Sequence, residues 1–199
     1  MRAPPRRPAS GWVQLAVALL LPLNLDLLLQ LLQPAELLQR REEVYGALSL
    51  VALLLVLLTR HLPALRPYRR ALGLAGFGYA LIHGWLAILH VFHGDLSNVL
   101  FLNPATQAGV GAGLLALVLL LPLALTSTDA ARRRMGRHWK TLHRLGPPLT
   151  LLSAVHTAWI GVHFSLWPLT WGAALLLALS VALYVWPRRR PPVPVRRPS

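Results

Sequence analysis

Six long apolar runs, each nearly free of charge, leave this 199-residue chain few folds to adopt. A helix that crosses a bilayer needs about 20 mostly apolar residues. In lipid every backbone N–H and C=O must be satisfied inside the segment or its barrel, so runs of this length read as helices. The runs cover about Gly11 to Leu29, Val44 to Thr59, Ala71 to Phe92, Thr106 to Thr126, Leu145 to Phe164 and Leu166 to Trp186. Pro22, Asn24 and Asp26 interrupt the first, and the second is short but strongly apolar. With 55% hydrophobic and 13% charged residues, the composition is too apolar for a soluble domain of this size. The expected fold is all-α: an integral membrane bundle of six transmembrane helices over residues 11–186, with a basic N-terminus (1–10) and a Pro/Arg-rich tail (187–199).

The positions of the charges orient this bundle. Three Arg precede span 1, four lie between spans 2 and 3, six Lys and Arg lie between spans 4 and 5, and five Arg follow span 6, so 18 of 20 fall on one side. Only Arg40 and Arg41 fall on the other, beside Glu36, Glu42 and Glu43. The positive-inside rule then puts both termini in the cytoplasm. The net charge of +14 is therefore read as topology and lipid contact, not as a nucleic-acid face, because the charges are scattered over loops between apolar runs. The head with Arg2, Arg6 and Arg7 before an apolar run reads as a retained signal anchor.

There are no cysteines, which excludes disulfides, thiolate-bound metal and a cysteine nucleophile. Histidines carry the chemistry instead. Spans 3 and 5 both enter from the cytoplasmic side, so depth can be counted along them. His83 lies 12 residues past Ala71, about 18 Å deep, and His156 lies 11 residues past Leu145, about 16 Å deep. Two histidines at matching depth can reach one metal from opposite sides. His90 and His163, each seven residues further on, share the faces of the deeper pair near the outer edge. They read as a second ligand set, a proton route or interface residues. His143 precedes Gly146, Pro147 and Pro148, which fit a helix start, and so projects from an interfacial segment where His61 is a possible neighbour. His93 and His138 read as solvated, and Asp26 and Asp95 as solvated or helix-end residues.

Two neutral imidazoles without a carboxylate or thiolate leave a bare divalent ion undercoordinated. A haem brings four nitrogens of its own, needs only axial ligands, and suits an apolar bundle interior. Ligation by two histidines leaves no open site for oxygen and points to electron transfer. The small-residue ridge Gly73, Gly76, Ala80 and Gly84 on span 3 is either a slot for a porphyrin or close helix packing. "AGVGAG" (108–113) lies inside an apolar span with no strand before it, and reads as packing. No nucleophile and base pair, phosphate loop or carboxylate pair is present, so bond-making chemistry by this chain alone is not expected.

Two segments carry a family resemblance. "RRALGLAGFGYALIH" (69–83) and "PLALTSTDAARRRMGRHWKTLHRL" (122–145) resemble the MsrQ (YedZ) haem-binding membrane proteins of the ferric reductase-like transmembrane superfamily, with similarity over about residues 60–165. The resemblance implies a haem b protein of the bacterial inner membrane, with His83, His156 and His143 on the family's three histidine positions as iron ligands. It also implies FMN as a further cofactor, and electrons passed from the quinone pool to a periplasmic molybdopterin-containing methionine sulfoxide reductase that repairs oxidised proteins. On this reading the chain is an electron-transfer subunit, not the catalytic one. It departs from the family before span 2, where a His-x-Thr-Gly-like segment would stand and Glu43-Val44-Tyr45-Gly46 is found, and again at the Gly-Pro-Pro after His143. Arg69, Arg70 and Arg144 are candidates to hold haem propionates, a flavin phosphate or anionic lipid. The alternatives are a ferric reductase-like cytochrome b serving another extracytoplasmic acceptor, and a transporter or helical scaffold without haem.

Overall fold

The computed structural model describes residues 24–32, 36–163 and 167–185, and all regular structure among them is helical. Most of span 1, the basic head and the tail lie outside these residues. The helices are α1 (24–32), α2 (Leu37–Leu58), α3 (Arg69–His90), α4 (Pro104–Leu125), α5 (Asp129–Met135), α6 (Arg137–His143), α7 (Gly146–His163) and α8 (Trp167–Val185). Spans 3 to 6 agree with α3, α4, α7 and α8 within about two residues. Span 2 differs: α2 starts at Leu37, seven residues before the apolar run. The charged residues expected in a loop form its first turns, where Arg40 bridges Glu36 and Glu43 at 2.9 Å each. Arg41 pairs with Asp26 through both guanidinium donors, one at 2.8 Å, which ties α1 to α2 and makes Asp26 a paired group and not a solvated one.

Local chemistry sets the other ends. Asn103 caps α4 by accepting the Thr106 N–H at 3.0 Å, and Pro104 follows at the first helical position, where no N–H is needed. Pro147 and Pro148 sit in the first turn of α7, as the sequence leads one to expect. Thr128 caps α5 through the Ala131 N–H, and Gly136, at φ 53°, supplies the bend from α5 into α6. Asp95 is a helix-end residue, accepting the Ser97 N–H at 2.8 Å in front of the 3-10 turn Leu96–Phe101. That bond holds its carboxyl below the usual range.

α2 lies along α3, while α7 packs on α4 and α8; α3 touches α4 but is not broadly packed on α7. The ridge on α3 serves the first of these contacts. Gly76 is buried against Leu53 and Ala52, and its carbonyl accepts the Ser49 hydroxyl at 2.8 Å. At Gly76 the missing side chain lets α2 and α3 lie close together, while Gly84 faces Leu117 of α4 and Gly73 lines a cavity. Leu53, Leu120, Leu123 and Leu149 form a buried cluster where α2, α4 and α7 meet, with Phe77 and Leu142 against it.

The outer surface is apolar. Leu114, Val118 and Leu125 on α4 are 54%, 56% and 69% exposed, and Trp171 and Leu175 on α8 are both 69% exposed. Large apolar side chains all along helices would drive association in water, and in lipid they are solvated. Among the described residues, Pro63–His90 and Pro104–Leu125 are long and apolar enough to cross a membrane.

Candidate metal centre

His83 on α3 and His156 on α7 face each other with ring centroids 6.2 Å apart and planes at 68°. The depth count along two separate spans is thus matched by contact in space. Each ring is anchored at Nδ1: His83 to the Glu42 carbonyl of α2 at 2.9 Å, His156 to the Gly109 carbonyl of α4 at 2.8 Å. A carbonyl only accepts, so both Nδ1 atoms carry the proton and both Nε2 atoms keep a free lone pair. A second hydrogen bond of this kind fixes the tautomer and orientation of a metal-binding imidazole.

The two anchors are built alike. One turn beyond each receiving carbonyl stands a glycine, Gly46 after Glu42 and Gly113 after Gly109. A Cβ on Gly46 would lie 3.0 Å from Nδ1 and 3.2 Å from Cε1 of His83; on Gly113 it would lie 2.7 Å from both atoms of His156. The missing Cβ is what lets each ring reach the carbonyl one turn below. Gly109 adds close contact of its own, with Ile160 and Trp159 at 3.0 and 3.1 Å from the position of a Cβ. Reading "AGVGAG" as packing therefore gives the right kind of contact without its partner, and Gly46 stands within the segment that departs from the family pattern. The glycines themselves were the available signal; which helix would bring a histidine to them was not in the sequence.

The other histidines lie elsewhere. His90 places Nδ1 3.0 Å from Oε2 of Glu42, whose carbonyl holds His83. Because the His83 anchor is backbone, Glu42→Gln is expected to remove the carboxylate beside His90 yet leave the His83–His156 site intact; an absorption spectrum unchanged from the parent checks this. The side chain of His163 lies outside the described residues. His143, at the end of α6, is stacked on Trp139 with ring centres 4.0 Å apart, and its Nε2 lies 3.1 Å from the Thr126 hydroxyl. That hydroxyl donates to the Pro122 carbonyl at 2.6 Å, and Trp139 Nε1 donates to the Thr126 carbonyl at 2.9 Å. Burial, and then the Arg69 guanidinium, holds the His143 imidazole below its ordinary range. His143 and Trp139 line a cavity of about 250 Å³ at the end of the bundle where α3 and α7 begin. Arg69 and Arg70 line it as well, with Arg66 and Arg132; Arg144 is not part of its wall.

The donor set suits one kind of centre. Among the described residues no three His, Cys, Asp or Glu side chains converge as a metal set, so the His83–His156 pair offers two donors. A bare ion such as zinc asks for about four, whereas an iron macrocycle carries its own four and asks for two axial nitrogens. Two metal–nitrogen bonds of about 2 Å, with about 1 Å more from each nitrogen to its ring centre, add to about 6 Å. The observed 6.2 Å fits that spacing.

Comparison with known proteins agrees with the membrane-helix reading of the fold. Residues 47–154, which include His83 and His143 and stop two residues short of His156, match the family described as ferric reductase like transmembrane component. The chain is similar to the proteins named protein-methionine-sulfoxide reductase heme-binding subunit MsrQ from Brucella ovis, Brucella canis and Brucella suis. It is 34% identical to each over 136 residues, which is 66% of this chain. The chain spans 57% of the length of these relatives. No solved structure matches it. With more than half of its length matched, the chain belongs to the ferric reductase-like transmembrane family, within which it resembles the MsrQ haem-binding subunits.

Proposed function

We propose that the chain is a haem b electron-transfer subunit of the bacterial inner membrane, with six transmembrane helices and both termini cytoplasmic. It would pass electrons from the quinone pool to a periplasmic molybdenum-dependent methionine sulfoxide reductase. The observation that carries this reading is the His83–His156 pair, 6.2 Å apart, with both Nδ1 atoms bound to carbonyls and both Nε2 atoms free. His83 and His156 would hold a haem there, which would supply one-electron chemistry. The roles of the chain's own residues follow from their contacts. His83 and His156 bind; the carbonyls of Glu42 and Gly109 orient them; Gly46 and Gly113 make room; Leu53, Phe77 and Leu120 keep water from the cytoplasmic side. His143 is the family's third ligand position and sits beside Trp139 at the cytoplasmic end, so its part as a ligand belongs to a separate site from the pair. FMN is carried over from the family resemblance alone.

The similarity to MsrQ subunits supports the choice of a methionine sulfoxide reductase as acceptor over ferric iron. The decisive measurement is a reduced-minus-oxidised spectrum of the purified chain with a pyridine haemochrome count, followed by reoxidation on adding the periplasmic reductase and methionine sulfoxide in liposomes containing a quinol. The expected result is a b-type spectrum that reoxidises only when both additions are present. A colourless protein from cells that make haem would favour a transporter or scaffold, and a coloured one indifferent to the reductase would favour another acceptor.

A further inference from the structure

The 3-10 turn Leu96–Phe101, which joins α3 to α4, turns its apolar side chains outward. Leu96, Leu100 and Phe101 are 52%, 74% and 84% exposed, and Phe101 is more exposed than any other large apolar side chain among the described residues. No Asp, Glu, Lys or Arg stands between Leu96 and Thr128, so nothing charged holds this turn in water. Asp95, just before it, is occupied in accepting the Ser97 N–H. α3 and α4 have 22 residues each. At about 33 Å they match a hydrocarbon core of about 30 Å, so the turn that joins them falls where acyl chains meet headgroups.

The backbone of this connection is closed on itself. Gln107 Nε2 donates to the Leu100 and Leu102 carbonyls at 3.0 and 2.9 Å, on either side of Phe101. Asn98 Nδ2 donates to the Phe92 carbonyl at 2.8 Å, and Phe92 is itself buried in the bundle. In water a bond to an exposed carbonyl gains little, because water satisfies the group equally well. Where water is scarce, irregular backbone needs such partners. A seat for a soluble protein would set a polar rim around its apolar core. Here the exposed apolar surface instead continues along α3 through Leu89 and Trp85, which lipid solvates.

We propose that Leu96–Phe101 is an interfacial wedge, its backbone at the headgroup level and Leu100 and Phe101 among the acyl chains of the leaflet opposite the arginine-rich end of the bundle. Gln107 closes the carbonyls that would otherwise hold the turn in water. Gln107 also stands two residues before Gly109, whose carbonyl holds His156, so the seat of the wedge and that anchor share the first turns of α4.

The chain has no cysteine, so one spin label can be placed at Leu100→Cys or Phe101→Cys of the full protein in phospholipid nanodiscs. Its accessibility to oxygen, which concentrates in acyl chains, is compared with that to a water-soluble nickel chelate. Val118→Cys, on the exposed face of α4, is the lipid control, and Glu36→Cys, at the exposed start of α2, is the water control. The oxygen-to-nickel ratio at both turn positions should approach that of Val118→Cys. Adding Gln107→Leu should cost the inserted position about tenfold in population for each carbonyl left open, which brings the Phe101→Cys ratio down toward that of Glu36→Cys. A ratio equal to the water control at both turn positions would overturn the proposal. If the periplasmic reductase then shielded them, the turn would be assigned to a protein partner instead. A ratio unmoved by Gln107→Leu, in a variant whose circular dichroism matches the parent, would overturn the role of the closed carbonyls. The two turn positions are solvent-facing and their replacement removes no buried contact, so that comparison stands even if Gln107→Leu does not fold.

Discussion

Replacing His83 or His156 with alanine is expected to abolish the b-type absorption spectrum of the purified protein, each change alone sufficing. The two rings are the whole donor set at that depth: no third His, Cys, Asp or Glu converges there among the described residues. Loss of one nitrogen leaves a single donor of the pair. Weakening a metal ligand's outer hydrogen bond costs about 10–100-fold in affinity, and removing the ligand itself exceeds that. The control is His90→Ala, whose ring meets the Glu42 carboxylate and not the pair; it should keep the spectrum. Full haem in both His83→Ala and His156→Ala would remove the assignment, and loss in all three variants would point to a folding defect in place of a ligand.

Gly113→Ala should come next in size. Its new Cβ would sit 2.7 Å from both Nδ1 and Cε1 and 3.0 Å from Cγ of His156, closer than real contacts allow. The ring cannot retreat without giving up its 2.8 Å bond to the Gly109 carbonyl, because the glycine and the carbonyl lie on the same face of α4 one turn apart. The expected outcome is haem affinity reduced by about 10–100-fold, the range for loss of an orienting hydrogen bond. Gly46→Ala should do less, since its nearest approach to His83 is 3.0 Å and the neighbour needs to give only a few tenths of an ångström. Haem retention measured by stepwise dilution in detergent ranks the two variants. Equal retention, or Gly46→Ala the worse, would mean that the glycines do not act by clearing space for the rings.

The same residues mark how far the sequence could be read. Counting along spans 3 and 5 found His83 and His156 because a membrane helix converts residue number into depth at a constant rise. The Gly-Pro-Pro after His143 was legible as a helix start for an equally local reason: proline lacks the N–H that the first turn leaves unused. Arg40 and Arg41 were misjudged as loop residues since apolarity was used to find helix ends, and a helix runs on past the lipid when charges can pair along it. The ridge through Gly76 and the run "AGVGAG" looked alike as small-residue surfaces. One meets leucine and alanine across a tight helix contact, the other meets an imidazole.

What the sequence determined by itself is the course of α3, α4, α7 and α8 and the matching positions of His83 and His156 along two of them. These depend on the apolar length of one segment, on satisfying its own backbone, and on a fixed rise per residue. The tertiary structure alone decided which carbonyl holds each ring, that Gly46 and Gly113 are the glycines that matter, and that His143 turns to Thr126 and Trp139. Those outcomes depend on which helix lies beside which: α3 takes its anchor from α2 and α7 takes its anchor from α4. No period within a single helix encodes the carbonyl of a neighbour.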